Sequence, residues 1–297
     1  MNRRMTAAEW GMLVLLSTLW GSSLFSLNVA GREVPAFSIV AAKVLLAAVP
    51  LVAVCGRLLP WTWHAWGGFA VMALFNDAGP FLLMALAGPH IPTGIASVLI
   101  ATNPLFTVLM AHWMTRDERM TPRHVAGVAI GFVGLAAMLG DGGFSLDGAS
   151  LLAAGAFLLA AVAYSYASIF GRRFAAEGVH PMAVAAGQHC CSALAIVPLA
   201  LAVDHPWTLG MPSWPTIGAL LALGLGSGAL AYTIFYRVLA TAGATNVVLV
   251  TFMSPVTTIL LGLALLGERV SGQQGVGMGL IALGLAVLDG RVFGRAT

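Results

Sequence analysis

Charge is what this chain has least of. Its 297 residues include 14 Lys or Arg and 11 Asp or Glu, 8% charged against 59% hydrophobic. A soluble domain carries roughly 25% charged residues, so a water-facing globular surface is excluded. The mean hydropathy of +0.93 points instead to an integral membrane protein. The pI near 9.0 does not signal a nucleic-acid partner, because the few charges lie between apolar runs and form no basic groove for a polyanion. Cysteine is nearly absent. Cys55, Cys190 and Cys191 lie in or beside apolar runs. The adjacent pair cannot close an ordinary disulfide, and no metal-ligand spacing exists, so all three are expected to be small buried hydrophobes.

Catalytic motifs are missing too. There is no Walker loop, which argues against an ATP-driven pump. The run Gly224-Leu225-Gly226-Ser227-Gly228 has Leu225 where an intramembrane serine protease needs glycine. Extended to Ala229 it fits a loose dinucleotide fingerprint, but no strand or acidic partner flanks it. Neither an enzyme nor a bound cofactor is expected. Connections are about ten residues or fewer, so no soluble domain is expected either.

What is there is a series of apolar runs, near 9–30, 36–54, 65–87, 92–114, 121–139, 148–170, 181–203, 214–238, 243–266 and 271–289. Each suffices for a hydrocarbon core of roughly 30 Å, which takes about 20 helical residues. Lipid offers backbone groups no partner and the alternating pattern of a barrel is absent, so the runs are helices. The predicted fold is an all-α integral membrane protein of ten transmembrane helices. The first run, from Trp10 to Ala30, exceeds the roughly 7–15-residue core of a signal peptide and no A-x-A site follows, so it is expected to be a retained helix.

Arginine sets the orientation. With the N-terminus in the cytoplasm, Arg3, Arg4, Arg57, Arg116, Arg119, Arg123, Arg172, Arg173, Arg237, Arg291 and Arg295 face inward and only Arg32 and Arg269 outward. That bias places both termini in the cytoplasm. Trp10, Trp61, Trp63, Trp66 and Trp113 then mark the inner boundary and Trp207 and Trp214 the outer one, while Trp20 sits mid-helix.

The chain also repeats itself. Residues 93–139 align with 244–289: Pro104 falls on Pro255, Thr107 on Thr258 and, after a one-residue slip, Glu118–Arg119 on Glu268–Arg269, Gly127 on Gly277 and Gly134 on Gly284. Pro35 precedes the second run as Pro181 precedes the seventh, and Lys43 falls on His189. The expected division is a first repeat over 1–140 and a second over 141–297, five helices each. Five is odd, so the second copy is inserted upside down. Inverted repeats with a proline-broken helix in each half are the pattern of a secondary transporter with its site between the halves.

WGSSLF at 20–25, the proline before the second helix with a basic residue eight on, and the block NP…DERMTPRHVAG…G resemble the EamA branch of the drug/metabolite transporter superfamily over essentially the whole chain. Amino-acid exporters of the YddG type belong to this branch. The resemblance implies inverted five-helix repeats in a cell inner membrane and transport of a small metabolite, with amino acids foremost; amines, sugars, nucleobases or drugs are the alternatives, and a non-transporting receptor is the other class. Where the family usually has Arg in the second helix, this chain has Lys43.

The candidate substrate-binding residues are Trp20, Lys43, Asn76, Asp77, Asn103, Tyr164, His189 and Tyr232, with Pro104 and Pro255 as hinges. Lys43 and Asp77 are the formal charges well inside spans, where a charge costs roughly 2.5–3.5 kcal/mol and faces a cavity or a partner. Two readings compete: they pair and staple helices together, or they hold the carboxylate and ammonium of a zwitterion. Trp20, Tyr164 and Tyr232 are packing residues or pocket walls. Asn103 caps a kink at Pro104 or touches substrate. His189, beside Gln188, is an inter-helix hydrogen bonder or a proton relay. The GxxxG spacings Gly127/Gly131 and Gly275/Gly279 are expected to pack helices within a monomer, a homodimer being the weaker option. The expected partners are a small-molecule substrate and the lipid bilayer. Single cysteines at Thr121 and Ser271 in a cysteine-free variant should label from opposite sides of the membrane; same-side labelling would refute the inversion.

Overall fold

The computed structural model describes residues 6–115, 120–139, 147–242, 249–267 and 271–289. The Glu-Arg turns at 118–119 and 268–269, the terminal arginines, Arg116 and Asp141 lie outside them. Ten helical spans follow in order. They are α1 (Ala7–Ala30), α2 (Ala36–Cys55), α3 (Trp63–Met72, Ala73–Asp77 and Ala78–Ala87), α4 (Thr93–Ala101 and Asn103–Met114) and α5 (Pro122–Leu139). Then come α6 (Gly148–Ala176), α7 (Pro181–Val203), α8 (Trp214–Leu221, Ala222–Leu230 and Ala231–Ala242), α9 (Leu249–Leu265) and α10 (Gly272–Asp289). No strand occurs among the described residues. The predicted start of the ninth span, 243–248, is outside them.

Local chemistry sets the starts. Thr6 and Glu9 form a capping box: Glu9 N–H donates to Thr6 Oγ1 at 3.3 Å and Thr6 N–H to Glu9 Oε2 at 2.7 Å, which satisfies donors that open a helix. Asp147 accepts from Ser150 N–H at the start of α6 (2.7 Å), and Thr62 from Ala65 N–H at the start of α3 (3.3 Å). Pro35 and Pro181 stand at the starts of α2 and α7, where a missing N–H costs nothing.

The packing follows an inverted two-fold. Helix α2 lies against α7, α5 against α10 and α4 against α9. Helix α1 packs on α8 and α9, as α6 packs on α3 and α4. These contacts recur with the halves exchanged. At the α5–α10 crossing the symmetry reaches single residues. A Cβ on Gly134 would come within 2.7 Å of Gly277 O, and one on Gly284 within 2.6 Å of Gly127 O. These are the glycines that the repeat aligns. The second GxxxG pair is a correction: nothing lies within 4 Å of a Cβ on Gly275 or Gly279. A four-residue spacing puts two glycines on one face without saying which face meets a neighbour. Trp61, Trp63, Trp113, Trp207 and Trp214 are exposed.

Two ties join elements at the ends of the spans. Glu33, beyond α1, accepts the N–H (2.7 Å) and hydroxyl (2.6 Å) of Ser213 at the start of α8, and these bonds hold its carboxyl below the usual carboxylate range. On the opposite face by span count, Glu177 at the end of α6 lies 3.2 Å from His64 Nε2 of α3 and accepts from Arg173 Nε at 3.1 Å. The His64 contact, followed by Arg173, lowers its carboxyl likewise.

Gly284→Leu should overpack the α5–α10 crossing, costing about 1–3 kcal/mol and lowering the melting midpoint in detergent by roughly 2–4 °C per kcal/mol. Gly275→Leu should melt like the parent.

Candidate functional site

The site begins with backbone irregularity. In α3, Pro80 has no N–H to return to the Asn76 carbonyl, and the helix widens into a π turn over Ala73–Asp77. Gly79 is obligatory there, because a Cβ would stand 2.0 Å from Leu74 O. The widened turn lets two consecutive side chains, Asn76 and Asp77, both reach other helices. Its counterpart α8 is π-helical over Ala222–Leu230, where Gly224 and Gly228 bring it against Leu46 and Ala47 of α2. Such π turns cluster at functional sites.

Asp77 is 2% exposed, Lys43 6% and His189 0%. Lys43 Nζ donates to Asp77 Oδ1 in a buried ion pair, and the ammonium stands 4.5 Å from the centre of the Phe81 ring. The other carboxylate oxygen, Oδ2, faces His189 Nε2 at 3.7 Å. Ser192, one turn past His189 and fully buried, adjoins the carboxyl. Lys43 is the chain's sole lysine.

A neutral network flanks the charges. Asn76 Nδ2 donates to Gln188 Oε1 (3.0 Å) and Tyr232 OH (3.3 Å), and Gln188 Nε2 donates to the same hydroxyl (3.1 Å). The Tyr232 ring meets His189 edge-on at 5.5 Å and Trp20 at 6.1 Å. Trp20 donates its indole N–H to Ser227 O of the α8 π turn (3.3 Å) and packs on Phe235. Trp20, Lys43, Asn76, Asp77, His189 and Tyr232 thus form one connected cluster from α1, α2, α3, α7 and α8.

Asn103 sits apart. Helix α4 breaks at Thr102, just before Pro104, and Asn103 Oδ1 and O accept from Ser165 Oγ (both 2.9 Å) and Thr107 Oγ1 (both 3.0 Å). The asparagine therefore binds the break to α6. Tyr164, next to Ser165, is half-buried in the main core and close enough to Asp77 to feel its charge. Pro255 lies within α9, which runs without interruption over Leu249–Leu265, so the two prolines do not break their helices alike.

The candidates from sequence omitted Gln188, Ser192, Phe81 and Ser227. Helical spacing carried a signal for three: Gln188 adjoins His189, Ser192 lies three residues beyond it, and Phe81 four beyond Asp77. Nothing local marks Ser227, which contributes only its carbonyl.

Ten spans in two inverted halves enclose a buried polar cluster between them. The sequence profile of the EamA-like transporter family matches twice, over residues 9–140 and 151–288; the chain belongs to that family and is a multi-pass membrane transporter. It is 25% identical over 297 residues to the uncharacterized inner membrane transporter YedA of Escherichia coli (strain K12), covering 97% of this chain and 92% of the relative. It is 25% identical over 300 residues to a probable amino-acid metabolite efflux pump of Salmonella typhimurium (strain LT2), with 98% and 96% covered. Protein PecM of Dickeya dadantii is 25% identical over 282 residues, with 91% and 89% covered. A protein of known crystal structure, 23% identical, superposes with a TM-score of 0.69 over 98% of this chain and 100% of its own, and shows the same fold.

Removing one partner of a buried ion pair strands the other charge, at about 3–5 kcal/mol. Lys43→Met and Asp77→Asn should each lower the detergent melting midpoint, and the double variant should recover most of the loss.

Proposed function

We propose that this protein is a secondary transporter that moves an amino acid across the cytoplasmic membrane by alternating access, with both termini in the cytoplasm and units 1–140 and 141–297 rocking about a central site. The observation that carries the proposal is the buried Lys43–Asp77 pair beside an aromatic wall. Each of these charges already has an opposite partner. A zwitterion therefore enters by exchange: its carboxylate takes the place of Asp77 on Lys43, and its ammonium takes the place of Lys43 on Asp77. No unpaired charge is left in the low-dielectric interior during the swap. Trp20 and Tyr232 face the substrate side chain, and Asn76 supplies a neutral hydrogen bond. A relative named as an amino-acid metabolite efflux pump supports the substrate class, and one named as an inner membrane transporter supports the location.

Pro104 and Pro255 serve as the hinges, since each removes a backbone donor inside equivalent helices. The reciprocal glycine crossing of α5 and α10 lies within one chain, which supports a monomeric working unit.

Counterflow in proteoliposomes tests the proposal. Amino acids, aromatic ones included, should exchange where amines, sugars and nucleobases do not. A charge-assisted contact contributes roughly 1.5–3 kcal/mol, so losing one weakens binding by about ten- to a hundredfold. The Lys43→Met/Asp77→Asn double variant should be stable yet fail to exchange amino acids. A stable and active double variant would reduce the pair to a staple between helices. Ligand binding without flux would make the protein a receptor.

A further inference from the structure

Helices α2 and α8 come from different halves and run in the same direction, but they do not stay together along their length. At their crossing they touch closely. A Cβ on Gly228 would come within 2.6 Å of Ala47 Cβ, and Gly224 lies as tightly on Leu46. Beyond the crossing α2 contains Pro50 and α8 its widened turn, two features that bend helices. Helix α2 packs on that turn and hardly touches the part that follows it, Ala231–Ala242. Between the parting helices lies a groove of about 250 Å³. Its floor is Leu51 and Ala229, both buried, and its walls are Val54, Leu225 and Leu230, all exposed. The Thr233 hydroxyl, at the rim, already donates to Ala229 O at 2.9 Å. These lining side chains leave no hydrogen bond unmade, which suits an apolar chain.

The end of the groove has the opposite chemistry. Arg57 follows Val54 by three residues and Arg237 follows Thr233 by four, close to one helical turn in each case. Both arginines are exposed, and neither side chain has an ion-pair or hydrogen-bond partner among the described residues. From Leu225 to Arg237 is about 18 Å of helix, and one leaflet of the hydrocarbon core is about 15 Å deep. An apolar track one leaflet deep therefore ends at two unpaired guanidinium groups. The inverted counterpart has no such ending. The matching ends of α7 and α3, 198–205 and 82–90, hold no Lys or Arg. The acid there, Asp204, accepts the Ser38 N–H at 2.6 Å.

We propose that the α2–α8 groove binds an acyl chain of an anionic phospholipid whose phosphate is held by Arg57 and Arg237. Guanidinium forks meet phosphate oxygens with paired hydrogen bonds, and basic pockets between spans recognise anionic headgroups. In the orientation proposed above the lipid belongs to the cytoplasmic leaflet, but the site depends neither on that orientation nor on the substrate. One side of the groove comes from each half, so the lipid touches both units of the carrier.

Photolabelling of the full-length protein in nanodiscs tests this. The probe is phosphatidylglycerol with a diazirine in its acyl chain, present as a trace in phosphatidylcholine. After illumination, peptide mass spectrometry should find label on 50–54 and 225–233 well above that on other exposed apolar residues, such as Val133 and Leu152. Phosphatidylcholine carrying the same diazirine should label the groove no more than the rest of the belt. Arg57→Gln and Arg237→Gln should each weaken phosphatidylglycerol binding about fivefold, and the double variant should label like phosphatidylcholine. Both arginines are exposed and unpaired, so these variants should melt like the parent in lipid-free detergent, which separates lost binding from lost folding. Even labelling around the belt, equal labelling by the two lipids, or a double variant that labels like the parent overturns the proposal. Cross-links between two copies of the chain at the same residues would make the groove a dimer interface and overturn it as well.

Discussion

Backbone polar groups inside a bilayer must find their partners within the protein, and the rest of this structure depends on that constraint. It makes the spans helical and confines irregularity to places where another helix covers it. The break at Thr102 in α4 is covered by α6, through Ser165 and the Asn103 carbonyl. The widened turn of α8 presents Ser227 O to the Trp20 indole. The widened turn of α3 aims Asn76 and Asp77 at α2, α7 and α8. Local failures of regular hydrogen bonding are therefore also where side chains from different helices meet.

The buried ion pair sits on this scaffold under tension between two energies. Taking both charges out of water costs several kcal/mol per ion, and their attraction offsets this only with good geometry and further bonds. Here the ammonium gains the face of Phe81, while Ser192 adjoins the carboxyl and its second oxygen faces an imidazole nitrogen.

Much of the fold was legible in the sequence because membrane helices announce themselves by length and composition. The starts at Pro35 and Pro181 and the end at Val203 fall where the apolar runs place them, and Asn76-Asp77-Ala78-Gly79-Pro80 marks the irregular turn of α3. The matching turn of α8 was hidden, since its glycines carry no side chains from which to infer direction. Six of the eight candidate residues meet because a polar side chain in lipid must find company. Their partners Gln188 and Ser192 were less legible: spacing shows which residues share a helical face, whereas the neighbour that face meets is decided by tertiary packing. The same limit separates Gly284, which packs, from Gly275 and Gly279, which do not.

The reciprocal contact of Gly134 with Gly277 and of Gly284 with Gly127 has the form of an isologous interface, the self-complementary patch by which two copies of one subunit join about a two-fold axis. Here both patches belong to one chain, so the molecule is built as an antiparallel dimer whose subunits have been tied together. Once tied, the halves no longer need identical sequences. A homodimer would have to place the same residue at both equivalent positions of its second and seventh spans, two lysines or two histidines. A single chain can hold Lys43 in one and His189 in the other, and so can give one carboxylate two unlike neighbours.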